Sequence, residues 1–255
     1  MVTLKIGGLV AGKKEQLAGL AAEVKSLSGK TRFLLVHGGG KEVSGMSRRL
    51  GLEPNFREGI RVTTEEEMEV VEMVLSGSVN KRLVRRFRAA GLPAVGLCGA
   101  DGGLLSASPL QEGGVRTRTG KIDNVNPELT AQLLAGGWFP VISPTASDSR
   151  GGALNINADT AAFALAAALK SETLLFLSDI PGILRQGKCL AGLDPAGVEA
   201  EIDAGTITGG MIPKVRSAVE ALSRGVKRII IGEFRTPGDL AALLDGRLGT
   251  RIVSQ

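Results

Sequence analysis

Residues 2–8 read VTLKIGG and residues 32–40 read RFLLVHGGG. Each is a strand-length apolar run that stops at glycines. Comparable runs follow at AVGLC (94–98), FPVISP (139–144), TLLFLSD (173–179) and RIIIG (228–232). Between them lie stretches with the apolar spacing of helices: KKEQLAGLAAEVKSL, EVSGMSRRLG, TTEEEMEVVEMVLSGSVNKRLVRRFRAAG, PELTAQLLAGG, DTAAFALAAALK, GGMIPKVRSAVEALSRG and PGDLAALLDG. Strands with no polar face need cover on both sides, and helical connections supply it in a mostly parallel sheet. The fold class is therefore α/β, a mostly parallel central sheet flanked by helices on both faces.

The helix ends carry their own punctuation. Thr63 and Thr64 before three glutamates supply an N-cap and an acidic first turn for a long helix over 64–89, and Gly91 closes it. Asn126 and Pro127 read as a cap and a first-turn proline. The stretch 99–124, rich in Gly, Ser and Thr, reads as a hairpin insertion. A division near Lys170–Ser171 separates an N-terminal lobe, 1–170, from a C-terminal lobe, 171–255.

Composition excludes several classes of function. The 255 residues carry a net charge of +5, no tyrosine and one tryptophan, so the interleaved basic and aromatic residues of a nucleic-acid binder are missing. The densest basic run, KRLVRRFR (81–88), reads as a solvated helix face, with an acidic partner as the other reading. No apolar run approaches the ~20 residues of a membrane span, and the N-terminus has no secretory-leader pattern. Two distant cysteines, Cys98 and Cys189, fit a reducing cytoplasm. With His37 as the sole histidine, histidine-based metal sites and catalytic triads have almost nothing to work with.

In open α/β sheets ligands bind beyond the carboxyl ends of the strands, so the residues just after each strand are the ones to inspect. Gly7 and Gly8 follow the first strand, and Gly38, Gly39 and Gly40 follow the second. Such runs present successive backbone N–H groups toward helix N-termini, where anions bind; they also serve tight strand-to-helix packing. Lys5 stands inside the first apolar strand, so it either points to solvent from an edge or meets an anion. Lys214 follows a glycine pair in GGMIPKV. In LNINADTAA (154–162), Asn155, Asn157 and Asp159 alternate as residues on one side of an extended segment do, and Asp159 suits the N-cap of the next helix. Asp179 ends TLLFLSD as a strand-end carboxylate. Lysines and N–H-rich turns without a usable base suit phosphoryl transfer, which needs positioning and charge stabilisation.

One competing pattern lies in LKIGGLVAGKK (4–14), where Gly7, Gly12 and Lys13 match a P-loop. The last position is Lys14, which cannot supply the hydroxyl that binds Mg²⁺, so the match reads as coincidence and Lys13 as part of a helix approach.

KIGG, VHGGG, GIRVT, NINAD and GGMIPKV, in this order and continuing to GTRIV, resemble the amino acid kinase family, and within it the branch acting on N-acetyl-L-glutamate. The resemblance implies a three-layer sandwich of two lobes and ATP-dependent phosphorylation of the γ-carboxylate, with Mg²⁺ held by the ATP phosphates and by no protein metal site. It implies that Lys5 and Lys214 neutralise the transferring phosphoryl group and that Asp159 orients both. Gly8 and Gly39 give it N–H groups, Gly7 and Gly40 shape the turns, and Gly39 and Gly40 border the acceptor. By the same resemblance Arg61 and Asn155 are expected to hold the α-carboxylate and acetamido end. The resemblance places ATP on the C-terminal lobe, along Ser178, Asp179 and Gly182 and along Thr208, Gly210 and Met211. The resemblance also implies a homodimer through the N-terminal lobe. Because the chain runs directly into its first strand, no extra N-terminal helix is expected, and with it no ring of six and weak or no arginine inhibition. Arg116, Arg118, Lys121 and the 81–88 run leave as an alternative a kinase for aminoadipate or glutamate, acetylated or linked to an acidic carrier protein; a non-catalytic amino-acid sensor is the other alternative. Lys5→Ala should abolish ADP release from ATP and N-acetylglutamate while Lys13→Ala leaves it nearly unchanged; the reverse would restore the P-loop.

Overall fold

The structure, a computed structural model, describes residues 1–7, 13–57, 59–112 and 115–254, with the backbone alone at 112, 115 and 116. Its main sheet has eight strands in the order Gly192–Leu193, Thr250–Val253, Arg228–Glu233, Thr173–Ser178, Val2–Ile6, Phe33–His37, Phe139–Ser143 and Ala94–Cys98. Every neighbouring pair is parallel except Arg228–Glu233 with Thr250–Val253. The mostly parallel α/β expectation holds, and the sheet runs without a break from strands before residue 170 to strands after it.

Side-chain alternation divides the sheet into two apolar faces. Leu4, Ile6, Leu35, Leu175 and Leu177 pack under helix Lys14–Leu27 and the long helix that starts at Glu65. Leu34, Val36, Leu174, Phe176, Ile229 and Ile231 pack under helices Ala158–Ala168 and Met211–Ser223. Fully burying each such side chain contributes about 1.5–3 kcal/mol, which fixes the register of the central strands. The first strand breaks the pattern on the second face, where Thr3 and Lys5 stand.

The stretch expected as a hairpin pairs antiparallel as Leu105–Glu112 with Val115–Val125, and closes with Thr145–Ser147 and Ala153–Asn155 into a four-stranded barrel beside the main sheet. Thr64 caps its helix by accepting from the Glu67 N–H at 3.2 Å, and Gly91 follows the helix end at φ +83°.

The long helix departs from expectation. It is α-helical over Glu65–Glu72, π-helical over Met73–Val79 and α-helical again over Asn80–Ala89. Ser76, Gly77 and Ser78 are weak helix formers, and the Ser76 hydroxyl is drawn to Ser143 and Thr145 at 2.8 and 3.0 Å. Helix Pro195–Asp203 was not read from the sequence, although Asp194 capping the Gly197 N–H ahead of Pro195 is a recognisable start.

Candidate active site

The first strand lies between Thr173–Ser178 and Phe33–His37, with Lys5 opposite Phe176 and Val36. An edge-strand lysine facing solvent is therefore ruled out. The side chain falls on the face covered by helices Ala158–Ala168 and Met211–Ser223, and each helix brings one charge from its first turn. Lys5 Nζ lies 2.5 Å from Asp159 Oδ1, and Lys214 Nζ lies 3.3 Å from Asp159 Oδ2. All three side chains are mostly buried, at 13%, 22% and 19% exposure for Lys5, Asp159 and Lys214. Lys214 also sits 5.8 Å from the centre of the Phe176 ring. Burial alone pushes the Asp159 carboxyl up, but the two ammonium groups, Lys5 foremost, outweigh it and hold the pKa below the ordinary carboxylate value. Two cations on one carboxylate leave a net positive charge at a place shielded from water.

The expected cap is corrected. Asn157, not Asp159, caps the helix, accepting from the N–H groups of Asp159 and Thr160 at 2.8 and 3.2 Å. This releases the Asp159 carboxylate for the lysines; an aspartate spent on its own helix end would not reach both.

Lys5, Gly7, Gly40, Ser178, Asp179 and Lys214 line a cleft of about 630 Å³. Gly39, Gly40, Arg61, Asn155 and Asn157 line a smaller cavity of about 150 Å³. Gly40 belongs to both walls, so the two spaces adjoin at the glycine turn. Gly8 lies outside the described residues, as does Gly12 of the P-loop match. Lys13 is an exposed residue flanking helix Lys14–Leu27 and lines neither space.

Gly182, Thr208, Gly210 and Met211 do not line the larger cleft. A Cβ on Gly182, at φ +151°, would meet Cys189 Sγ at 2.5 Å, so the turn packs tightly against the hairpin beside it. Gly210 precedes the helix that carries Lys214, Thr208 accepts from the Met211 N–H at 3.2 Å, and Met211 packs against the apolar core.

Arg61 is buried at the floor of the smaller cavity. Its guanidinium pairs with Glu67, donates to Ser44 Oγ at 2.5 Å and to the Gly40 carbonyl at 3.2 Å, and stacks 4.6 Å from the centre of the Phe56 ring. Asn155 Nδ2 donates to Thr63 Oγ1 at 2.9 Å. Sequence reasoning missed Glu67, Ser44 and Phe56. Glu67 is three residues beyond Thr64, where a capping-box glutamate reaches back; here its carboxylate turns to Arg61.

The basic surface is partly neutralised. Arg118 is held by Glu65 and Asp148, and the hydrogen bond it donates to Glu65 raises its pKa. Arg82 pairs with Glu42, and Lys81 donates to Asn80 Oδ1 and the Gly96 carbonyl, both at 3.1 Å.

The amino acid kinase family model matches residues 1–233. This chain belongs to the amino acid kinase family. Acetylglutamate kinase from Rubrobacter xylanophilus is 42% identical over 98% of this chain and 96% of its own. The protein of the same name from Geobacillus sp. is 46% identical over 80% and 79%. Among solved structures, N-acetylglutamate synthase from Neisseria gonorrhoeae, in complex with coenzyme A and N-acetyl-glutamate, superposes with a TM-score of 0.87 at 25% identity, covering all of this chain and 59% of that one. An isopentenyl phosphate kinase shares the fold at a TM-score of 0.69 and 20% identity.

His37 lies directly before the glycine turn and is fully buried. Burial first, then the nearby charges of Arg82 and Lys81, lower its pKa from 6.5 to about 4, against the opposing hydrogen bond with Gly38. Between those values the unfolded chain binds a proton that the folded chain refuses. Stability should therefore fall by about 3 kcal/mol from this group as pH drops from 6.5 to about 4. The Asp159 contribution has the other window, persisting until pH falls below the unfolded carboxylate value of 3.8. Urea unfolding at pH 7, 5.5 and 4 should show a shallower decline for His37→Asn than for the parent, and equal slopes would contradict the assignment.

Proposed function

We infer that this protein transfers the γ-phosphoryl group of ATP to the γ-carboxylate of N-acetyl-L-glutamate, yielding an acyl phosphate and ADP in arginine biosynthesis. The observation that carries this reading is the Lys5–Asp159–Lys214 cluster beside two adjoining spaces, a larger one of nucleotide size and a smaller one with an arginine at its floor. The acetylglutamate kinases among its relatives point the same way.

The acceptor explains why the site lacks an exposed histidine. A γ-carboxylate, with a pKa near ~4.3, is already ionised at neutral pH and needs no general base. A carboxylate oxygen attacks phosphorus as the bond to the ADP oxygen breaks, and negative charge spreads over both ends. Lys5 and Lys214 stabilise that charge from two sides, and Asp159 keeps their ammonium groups apart and aimed. The glycine-turn N–H groups, including those of Gly8 and Gly39, complete the cradle, and Gly7 and Gly40 keep the turns free of side chains. Arg61 receives the α-carboxylate, already oriented by Glu67, and Asn155 the acetamido group. Ser178 and Asp179 border the nucleotide in the larger cleft, while Gly182 and the Thr208, Gly210 and Met211 segment that leads to Lys214 stand outside its lining and would meet only the part of the nucleotide that extends beyond it.

Among the described residues no group of three His, Cys, Asp or Glu side chains could hold a metal ion. Mg²⁺ would enter on the ATP phosphates and neutralise their charge there, and Asp179 is a carboxylate on the cleft wall. The first 170 residues form the acid-binding lobe and the rest the ATP-binding lobe. The enzyme works in the cytoplasm; no described helix is long and apolar enough to cross a membrane.

A homodimer through the long helix is supported by its charge pattern. Glu65, Glu66, Glu69 and Glu72 are exposed on the first half, and Arg85, Arg86 and Arg88 on the second. Met73, 57% exposed, sits between them, so an antiparallel second copy meets opposite charges at both ends and an apolar contact at the centre. Light scattering should give twice the chain mass, falling toward one chain mass for Met73→Glu; a parent monomer would remove this interface.

Hydroxylamine should trap acyl phosphate from free N-acetylglutamate with ATP and Mg²⁺, and Arg61→Lys should raise the KM for that acid by about tenfold or more through loss of the planar fork. Trapping only with a carrier-linked acid would replace the free substrate, and no trapping with any acid would favour a sensor.

A further inference from the structure

His37 is the one histidine of the chain, is fully buried, and lines neither of the two spaces. Its surroundings nonetheless define its hydrogen-bonding state. Asn80 Nδ2 lies 2.8 Å from the Val141 carbonyl, 3.2 Å from the Leu97 carbonyl and 3.2 Å from His37 Nε2. Facing two carbonyls, that atom is the amide NH₂, and its partner Oδ1 accepts from Lys81 at 3.1 Å. His37 Nε2 thus faces an amide NH₂ while Nδ1 faces a carbonyl that can only accept, so the ring hydrogen is on Nδ1. From there it donates to the Gly38 carbonyl at 3.0 Å.

The Gly38 carbonyl and the Gly39 N–H are opposite ends of one peptide unit. The chain has no cis peptide bond among its described residues, so these two groups point in opposite directions. Holding the carbonyl toward the core aims the N–H away from it, on the side where Gly39 borders the smaller cavity. Among the described residues the Gly39 N–H meets no acceptor. The π-helical segment packs against the turn: a Cβ on Gly39 would come within 2.6 Å of Leu75 Cδ2 and 3.4 Å of Val79 Cγ2. That same segment ends where Asn80 begins, so one local irregularity both walls the glycine and supplies the histidine's partner.

We propose that His37 is a positioning residue for phosphoryl transfer: its Nδ1–H, set by Asn80, locks the Gly38–Gly39 peptide so that the Gly39 N–H points at the oxygens of the transferring group. The role rests on the reading of this site as one for phosphoryl transfer. It needs the neutral ring, because a second hydrogen on Nε2 would face the Asn80 amide.

Three variants separate aiming from bulk packing. His37→Asn places an amide donor where Nδ1 stands. His37→Gln reaches the Nε2 position and leaves the Gly38 carbonyl without its donor. His37→Leu removes both functions, while Asn80 keeps its two carbonyl partners. Deleting an oxyanion donor outright costs about 10²–10³ in kcat, so mis-aiming one should cost roughly 10- to 100-fold in kcat for His37→Leu and His37→Gln. The KM for ATP should stay within about twofold, since uniform binding is untouched. His37→Asn should recover kcat to within several-fold of the parent. A second readout is the ¹H–¹⁵N resonance of Gly39 as ATP with Mg²⁺ is added, which should shift in the parent and His37→Asn and much less in His37→Gln.

Equal kcat and equal Gly39 shifts across folded variants would overturn the proposal and leave the kinase reading standing. Failure of the parent to form acyl phosphate, with the Gly39 shift still dependent on His37, would overturn the acceptor assignment and leave the positioning role in place. A loss of kcat that His37→Asn does not restore would reduce His37 to a packing residue.

Discussion

One carboxylate holding two ammonium groups sets the terms for the rest of this structure. An isolated ammonium on a central parallel strand costs several kcal/mol in lost hydration, and Lys5 is on such a strand. Asp159 offsets that cost, but it does so while sharing its other oxygen with Lys214. The cluster is thus over-compensated in the positive direction, and a further anion completes it. Three elements far apart in sequence must deliver these side chains to one point. A shift of the first strand by one residue would turn Lys5 into the opposite apolar face, against Leu35 and Leu175.

The same geometry explains why the two helix starts have different caps. Helix Ala158–Ala168 needs an N-cap that is not Asp159, and Asn157 supplies it from the extended segment ahead. Helix Met211–Ser223 starts from Gly210 without a side-chain cap, and the Met211 and Ile212 N–H groups donate instead to the Thr208 and Gly209 carbonyls. In both cases the first helical turn carries the charged residue on the sheet side. Arg61 repeats the principle on the acceptor side: Glu67 leaves the customary capping geometry to hold a guanidinium, and Thr64 alone satisfies the backbone.

Much of this was legible in the chain itself because it depends on local chemistry. The apolar runs ending in glycine marked the parallel strands, and Lys5 was conspicuous because a lysine within such a run demands an explanation. The long hairpin was visible as turn-rich sequence between strands. What could not be read were contacts set by tertiary structure. Glu67 looked like one of three acidic residues at a helix start, and nothing local distinguished the one that turns inward. Asp159 looked like a cap because Asp, Asn and Ser are interchangeable in that role, so the choice of Asn157 rests on where the lysines lie. The π-helical stretch was hidden because its apolar residues still fit a helical period, whereas its cause, the pull of Ser143 and Thr145 on Ser76, comes from strands some 70 residues away.

A reaction that moves no proton shifts the burden of catalysis from pKa tuning to aim. Where a general base is required, an imperfectly placed backbone N–H is one contributor among several. Here the stabilisation of spreading charge is nearly all the protein has to offer, and backbone N–H groups direct it only as well as their peptide planes are held. Glycine turns leave room for phosphate but are by the same token the least constrained backbone. A turn of three consecutive glycines therefore needs external restraint, and the structure applies it at two points: a neutral buried histidine on the carbonyl, and Leu75 with Val79 packed where a Cβ would be. The freedom that admits the ligand is withdrawn by the residues around it, and the chain's one histidine, fully buried, lies directly before three consecutive glycines.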